Sequence, residues 1–421
     1  MKILIRQATI IDPGSPFHLS QQDILIETGI IENIQSNITE SADTIIDLPG
    51  LHVSPGWIDV FANFCDPGYE YKESLESGAA AAAAGGFTTV MVIPNTKPAV
   101  DNKAQVEYIV QKSKSLAVWV IPIGAITKNA EGKELAEMYD MRNSGALAFS
   151  DGLNPVQSSG ILLKALQYMK PIGGTIIQLP DDKNLAPHGL MNEGIISTRL
   201  GLPGKPVMSE ELMVARDIKL ARYTDSKIHF TGITSPKSLE YIQRAKQAGL
   251  QVTCSVTPYH LFFCDEDLTD YDTNLKVNPP LRTHAAMMGL RKAIEDGTVD
   301  CIATHHAPHE YDSKIVEFEY AKFGITGLET CYAVLKTMMP HLPEQRWVEL
   351  LSINPAVIFG LPRFGIAINE PVRLTLYQPK NTFTYLEKNI RSKSKNSPFI
   401  GKDLFGRVAG IVNGENIYLN Q

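Results

Sequence analysis

Three imidazoles fall close together in Thr304-His305-His306-Ala307-Pro308-His309. Histidine is the commonest metal ligand and the usual general base near neutral pH, so this run invites a metal or acid–base reading. A plainer reading competes with it. Consecutive residues of a strand point to opposite faces, so His305 and His306 share one site only if the strand has already ended. The alternation favours His305 in a pocket and His306 packed or capping. Two carboxylates could join His305: Asp151 in Ser150-Asp151-Gly152, and Asp59, which has the strand parity of Phe61 and Asn63. Cys65 offers a thiol but has no His or Lys beside it to activate it. His229 lies an odd number of residues from Gly232, which places it toward a helical layer as a satisfied core histidine. Gly85-Gly86 precedes a strand rather than a helix, the wrong order for a phosphate cradle.

Those residues need elements to hold them. Eight runs read as strands, at Val53–Val60, Phe87–Pro94, Ala117–Ile126, Ala146–Asp151, Thr175–Pro180, Lys227–Thr234, Gln251–Pro258 and Asp300–His306. Most are continuously apolar, as strands buried on both faces are. Helical patterns alternate with them. Glu73–Ala84 is Ala-rich and stops at Gly85-Gly86. Ser209 opens a helix through Tyr223, and Ser235-Pro236 places an N-cap and a first-turn proline before Leu239–Ala248. Eight βα units over this length fit a TIM (β/α)8 barrel, whose active site lies at the C-terminal ends of the strands. Residues 51–367 are assigned to the barrel. Residues 1–50 and 368–421 carry short strands, and neither piece is long enough for a domain of its own. Both ends are therefore expected to pair into one small β module. The polar run Ile390–Asn396 reads as a surface loop.

The strand ends resemble the amidohydrolase superfamily and, within it, the two-zinc dihydroorotases. The resemblance runs from Pro55-Gly56-Trp57-Ile58-Asp59-Val60 to the C-terminus. It includes Pro94-Asn95-Thr96, Met191-Asn192-Glu193-Gly194, Thr257-Pro258-Tyr259-His260, Asn278-Pro279-Pro280-Leu281-Arg282, Ala307-Pro308-His309 and Gly324-Ile325-Thr326-Gly327. No single piece is specific, but all occur in order. The resemblance implies the barrel fold, a place in pyrimidine biosynthesis, and reversible opening of the dihydroorotate ring at a dinuclear zinc centre.

The same resemblance shows what has changed. The family's His-x-His after the first strand is Phe61 and Asn63 here. Its aspartate after strand four is kept as Asp151. Its histidines after strands five and six are Gln178 and Gly232, and its aspartate after strand eight is His305. The arginine that binds the substrate carboxylate is Cys65. Phe61 and Gly232 have no donor atom, and neutral amides suit calcium better than zinc. His305 cannot act as the carboxylate that accepts a proton from metal-bound water. Only Asp151 and His305 remain as weak metal candidates or catalytic remnants, with Asn63 as an assistant. Such a site is expected to lack zinc, and no other cofactor is indicated. Asn63, Asn95, Gln178, Asn278 and His309 are the substrate-pocket candidates; loop bracing is their plainer role.

The expectation is a dihydroorotase homologue without hydrolase activity that serves as a structural or regulatory subunit. The resemblance makes the catalytic chain of aspartate carbamoyltransferase its first candidate partner. The alternative is an active cyclic-amide hydrolase, dihydroorotase or related, with a rebuilt mononuclear or metal-free site around Asp151 and His305 or Cys65. A homodimer is the default assembly.

Composition narrows the field. The chain has 421 residues, and 39 basic against 46 acidic side chains leave a formal net charge of −7. That balance disfavours nucleic-acid binding. No apolar run reaches the roughly 18 residues a membrane span needs, and Asp12-Pro13-Gly14 breaks the N-terminal pattern too early for a signal peptide. Five scattered cysteines with no CxxC pair give neither a disulfide framework nor a zinc ribbon. A cytoplasmic protein is expected.

Overall fold

The computed structural model describes residues 1–420. Five strands open the chain: β1 (Lys2–Ile10), β2 (Gln21–Glu27), β3 (Ile30–Gln35), β4 (Thr44–Ile46) and β5 (His52–Pro55). Then come β6 (Trp57–Ala62), β7 (Phe87–Val92), β8 (Trp119–Pro122), β9 (Ala148–Phe149) and β10 (Thr175–Gln178). A short parallel pair, β11 (Met191–Asn192) and β12 (Gly204–Lys205), precedes β13 (Ile228–Phe230), β14 (Val252–Val256) and β15 (Cys301–Ile302). The chain closes with β16 (Arg373–Thr384), β17 (Asp403–Asn413) and β18 (Asn416–Leu419).

Seven of the eight expected runs contain one barrel strand, shorter than its run; the first run, Val53–Val60, overlaps β6, which continues to Ala62. β6, β7 and β8 pair in parallel, as do β9, β10, β13, β14 and β15. A parallel bridge from Gly124 to Phe149 joins the two sets. On the other side the Asn63 amide donates to the His306 carbonyl at 2.8 Å, which closes a (β/α)8 barrel. Ile58, Val60, Phe61, Met91, Ile121, Ile177, Cys301 and Phe359 fill its interior. A larger cluster packs the strands' outer faces against the helices.

Local signals explain the helices near the mouth. Ser74 caps Leu75–Ala84, its hydroxyl accepting from the Ser77 amide, and Gly85 ends it. Ser235 accepts from the amides of Lys237 and Ser238 at the start of Pro236–Gln247. The helix expected after Ser209 runs over Met208–Thr224.

Both chain ends build one sheet, in the order β18-β17-β16-β5-β1-β2-β3, with β4 on β1. The link is β16 against β5, antiparallel, with Leu374 opposite Pro55 and Tyr377 opposite His52. The expected run Val53–Val60 is thus divided at Gly56. Its first half belongs to this sheet and its second to the barrel. A β-carbon at Gly56 would lie 2.1 Å from Thr88 Oγ1, so only glycine fits this crossing.

The run Ile390–Asn396 is a surface loop on one side only: Arg391, Lys393 and Lys395 are exposed. Ser392, Ser394 and Asn396 are buried. Ser392 donates to Glu73, Ser394 donates to the Lys72 carbonyl, and Asn396 donates to the carbonyls of Ala307 and Gly324. These polar side chains are spent on the barrel mouth, so low apolar content does not imply exposure. Among the described residues no helix is long and apolar enough to cross a membrane.

Candidate functional site

Strand ends β6, β7 and β15 and their following loops surround a cavity of about 340 Å³ at the barrel mouth. Four of the candidate pocket residues, Asn63, Asn95, Asn278 and His309, line it together with His305. Most of their polar atoms already have partners. Asn95 donates to the Asp151 carbonyl at 3.1 Å and accepts from the Leu153 amide at 2.9 Å, which braces the loop after β9. Asn278 accepts from Lys205 Nζ at 2.8 Å. Asn63 Oδ1 accepts from the Cys65 amide at 2.9 Å, supporting the left-handed Cys65 (φ +60°). His309 Nε2 faces the Phe323 carbonyl at 2.9 Å and so carries the hydrogen, while Nδ1 is buried without a partner. Burial pulls the His309 pKa down to about 4, so its ring enters the cavity neutral.

His305 forms the floor. Its ring lies 4.6 Å from that of Phe61, and Nε2 is 2.7 Å from Thr231 Oγ1. Burial pushes its pKa down to about 3. A polar chain continues inward. Ser255 donates to Thr231 at 3.0 Å, and His229 meets Ser255 at 3.1 Å and Thr253 at 2.9 Å. Through Ser255 and Thr231, His229 connects to His305, so it lies inside the barrel and not toward the helical layer as expected; its ring meets Phe359 at 5.3 Å between centroids. Strand alternation does not carry from His229 to Gly232, because β13 ends at Phe230 and Gly232 takes φ +68°.

His306 borders the same cavity as His305, whose φ of +47° breaks the alternation, but its own ring is buried and held by neighbours. Its Nδ1 accepts from the Gly327 amide at 3.2 Å and its Nε2 is 3.4 Å from Glu73. Burial of Glu73 opposes its ionisation, but the bond and charge of His306, with the Ser392 and Ser77 hydroxyls, hold its carboxyl below the usual range.

Three expected site residues lie elsewhere. Asp151 does not line the cavity: its carboxylate accepts from the Thr127 amide at 2.9 Å and the Thr127 hydroxyl at 2.5 Å. Burial raises its pKa to about 6. Gln178 is also outside the lining. Its amide donates to Asp217 at 3.2 Å, and that carboxylate is held by Arg216 at 2.6 Å. Asp59 accepts from the amide and hydroxyl of Thr304 at 2.7 and 2.9 Å, tying β6 to the end of β15. A register shift between Asp59 and Ala62 breaks the parity that aimed it at the pocket.

Zinc needs imidazole, thiolate or carboxylate donors at about 2.0–2.3 Å. Among the described residues no group of three or more His, Cys, Asp or Glu side chains could hold a metal ion. The donor set does not fit a dinuclear zinc centre. Cys65 lines the cavity, but burial pushes its thiol up to about 12, which disfavours the thiolate.

Two cavity residues escaped the sequence reading. Lys72 lies near the rings of Tyr69 and Tyr71, 5.5 and 5.6 Å from their centroids, and Lys322 enters from the loop before Gly324. No carboxylate side chain is in the lining, so the mouth is electropositive. The Tyr69-Glu70-Tyr71-Lys72 run was the available signal. It lies in a loop well past the strand end, where strand parity says nothing.

This architecture, a (β/α)8 barrel beside a sheet built from both chain ends, is shared with solved hydantoinases. The structure superposes on L-hydantoinase (dihydropyrimidinase) from Arthrobacter aurescens with a TM-score of 0.87 at 21% identity, covering 99% of this chain and 96% of that one. Dihydropyrimidinase from Brevibacillus agri NCHU1002 gives 0.84 at 18% identity, covering 100% and 95%. These likenesses concern the fold. In sequence, the dihydro-orotase-like family matches residues 50–238. The dihydroorotase of Syntrophus aciditrophicus is 41% identical over 424 residues, covering 99% of both chains. That of Geobacter metallireducens is 41% identical over 423 residues, covering 99% of this chain and 100% of its own. The chain belongs to the dihydroorotase family.

Proposed function

We propose that this chain is a dihydroorotase homologue of pyrimidine biosynthesis that binds no dinuclear zinc and does not hydrolyse dihydroorotate. The observation carrying this reading is the packing of His305. Its ring stacks on Phe61, bonds Thr231 and fills the space beside Gly232, so three positions that hold metal in the resembled family form a closed contact. Hydrolysis of a cyclic amide also needs a base and a group that stabilises the developing oxyanion. His305 is engaged at Nε2, and Asp151 is engaged by Thr127 outside the cavity. The relatives carry the name dihydroorotase over their whole length, so ancestry supports the pathway while the side chains support loss of the reaction.

The role that fits an intact barrel without its reaction is that of a structural or regulatory subunit, with the aspartate carbamoyltransferase catalytic chain as its partner. The test is elemental analysis of protein from zinc-fed cells, followed by turnover of dihydroorotate and carbamoyl aspartate with and without added zinc. No bound zinc and no turnover above blank is expected. Zinc-dependent turnover would overturn the reading. Co-purification from the native cell should recover the transferase, and its absence would remove the partner from the proposal.

A further inference from the structure

The opposite end of the barrel carries a second cavity, of about 240 Å³. Ile58, Thr89 and Trp119, at or near the first residues of β6, β7 and β8, line it. Asn63 and Asn95 follow the far ends of β6 and β7, so the two cavities lie at opposite ends of the barrel. The second one sits at the seam with the end module, where β16 begins.

Arg373, the first residue of β16, is its central feature. The guanidinium carbon is 4.4 Å from the Phe364 ring centroid and 4.8 Å from that of Trp119. Stacking uses the faces of a guanidinium and leaves its N–H edges for hydrogen bonds. Of those donors, only Nη1 has a partner, the Thr89 hydroxyl at 3.5 Å, which is long for a hydrogen bond. Among the described residues no carboxylate pairs with Arg373. Burial lowers its pKa from the ordinary arginine value, in keeping with a cation held without a counterion. Arg363 lines the same cavity, is exposed, and has no ion pair either. The one carboxylate in the lining is Asp12, whose oxygens accept from the amides of Gly14 at 3.0 Å and Ile366 at 2.9 Å. Thr89 accepts from Arg373, so its own hydroxyl hydrogen remains available.

A stacked arginine is often simple packing. Here the donors are unspent, a second arginine faces the same space, and the space is open. We propose that this cavity binds a small phosphate monoester, held by Arg373, Arg363 and the Thr89 hydroxyl. Two guanidinium forks and a hydroxyl suit a tetrahedral oxyanion. The remaining volume, walled by Pro55, Ile58 and Leu361, takes the organic part of the ester. The site lies on both the barrel and the end module, so its ligand would tie the two together.

Isothermal titration at low salt tests this, with glycerol 3-phosphate, inorganic phosphate and, as the carboxylate arm, malonate. Saturable binding of the monoester is expected. It should weaken about tenfold or more in Arg373→Gln and severalfold in Arg363→Gln, as loss of a charge-assisted contact implies. Lys133→Met, an exposed lysine that lines neither cavity, should leave it unchanged. Arg363 is exposed, so its variant keeps the test alive if Arg373→Gln fails to fold. No saturable phosphate binding to the parent protein, or parent-like affinity in both arginine variants, overturns the site. Malonate binding as tightly as the monoester overturns the phosphate assignment.

Discussion

A β-carbon added at Gly232 would lie 2.6 Å from Cε1 of His305. The imidazole therefore occupies the space that any side chain at 232 would enter, and glycine there is the complement of histidine at 305. Gly232 also has φ +68°, which L side chains rarely adopt, and His305 itself has φ +47°. Substitution at one position constrains the other.

That coupling is measurable. Gly232→Ala should cost about 2–4 kcal/mol, from overpacking and positive-φ strain together. His305→Ala should cost about 2–3 kcal/mol through the lost Thr231 bond and Phe61 stack. The double variant removes the clash, so its loss should fall short of the sum by at least about 1 kcal/mol. Urea unfolding of the four proteins decides it. Strict additivity would mean that the ring moves aside freely and the site is not closed.

The pH dependence of stability gives a second test of the same residue. Burial sets the folded-state pKa of His305 near 3, against about 6.5 when unfolded. Between these values the unfolded chain holds a proton that the folded chain lacks, so this group's contribution is lost as pH falls from 6.5 toward 3. Asp59 and Asp151, raised to about 6 by burial, act in the opposite sense between about 3.8 and 6. Both are present in parent and variant. His305→Gln, which keeps a partner for Thr231, should therefore be less stable at pH 7. The gap should narrow on acidification by up to about 1.4 kcal/mol per pH unit. Parallel stability curves for the two proteins would show that His305 titrates normally.

How far the sequence reached depends on the range of the contacts involved. The barrel strands were visible because parallel strands buried on both faces form apolar runs, and the helix caps because Ser74 and Ser235 act on amides within three residues. The chemistry was harder. Asp59 and His229 were placed by strand parity, which a register shift and a left-handed glycine had reset. Gln178 was drawn away by Asp217 on a helix, and one side of the Ile390–Asn396 run was buried by Glu73 and Lys72. The first two failures are local breaks in the strand alternation; the last two come from partners remote in sequence, which no local pattern reveals.

Glu73 makes one such remote connection testable. Its buried carboxylate accepts from the Ser392 and Ser77 hydroxyls and from the Lys393 amide at 3.0 Å, and it faces His306. Glu73→Ala leaves those donors without an acceptor and should cost about 3–5 kcal/mol. Glu73→Gln keeps the shape and should cost less. Hydrogen exchange should quicken first at Lys393, whose amide Glu73 holds, and less at Ser392, whose amide donates to Glu329. Unchanged exchange there would mean that Phe399 and its neighbours, rather than Glu73, hold the segment.

Ligand binding at the mouth can be separated from catalysis. Lys72 and Lys322 are the only charged side chains in its lining. The Phe61–His305 contact therefore leaves a cationic cavity rather than a filled one. Carbamoyl aspartate and orotate, both anionic, should bind in the millimolar range, weakened by the replacement of the family's arginine with Cys65. Lys72→Met should reduce affinity severalfold, while added zinc should change nothing, because no ligand-binding group there waits on a metal. Calorimetry on parent and variant, with and without zinc, gives the answer. Binding that Lys72→Met leaves intact would place the anion on the backbone amides of the mouth loops. Binding that appears only with zinc would mean that His305 can leave Phe61 and Thr231, and the closed-site argument would fail with it.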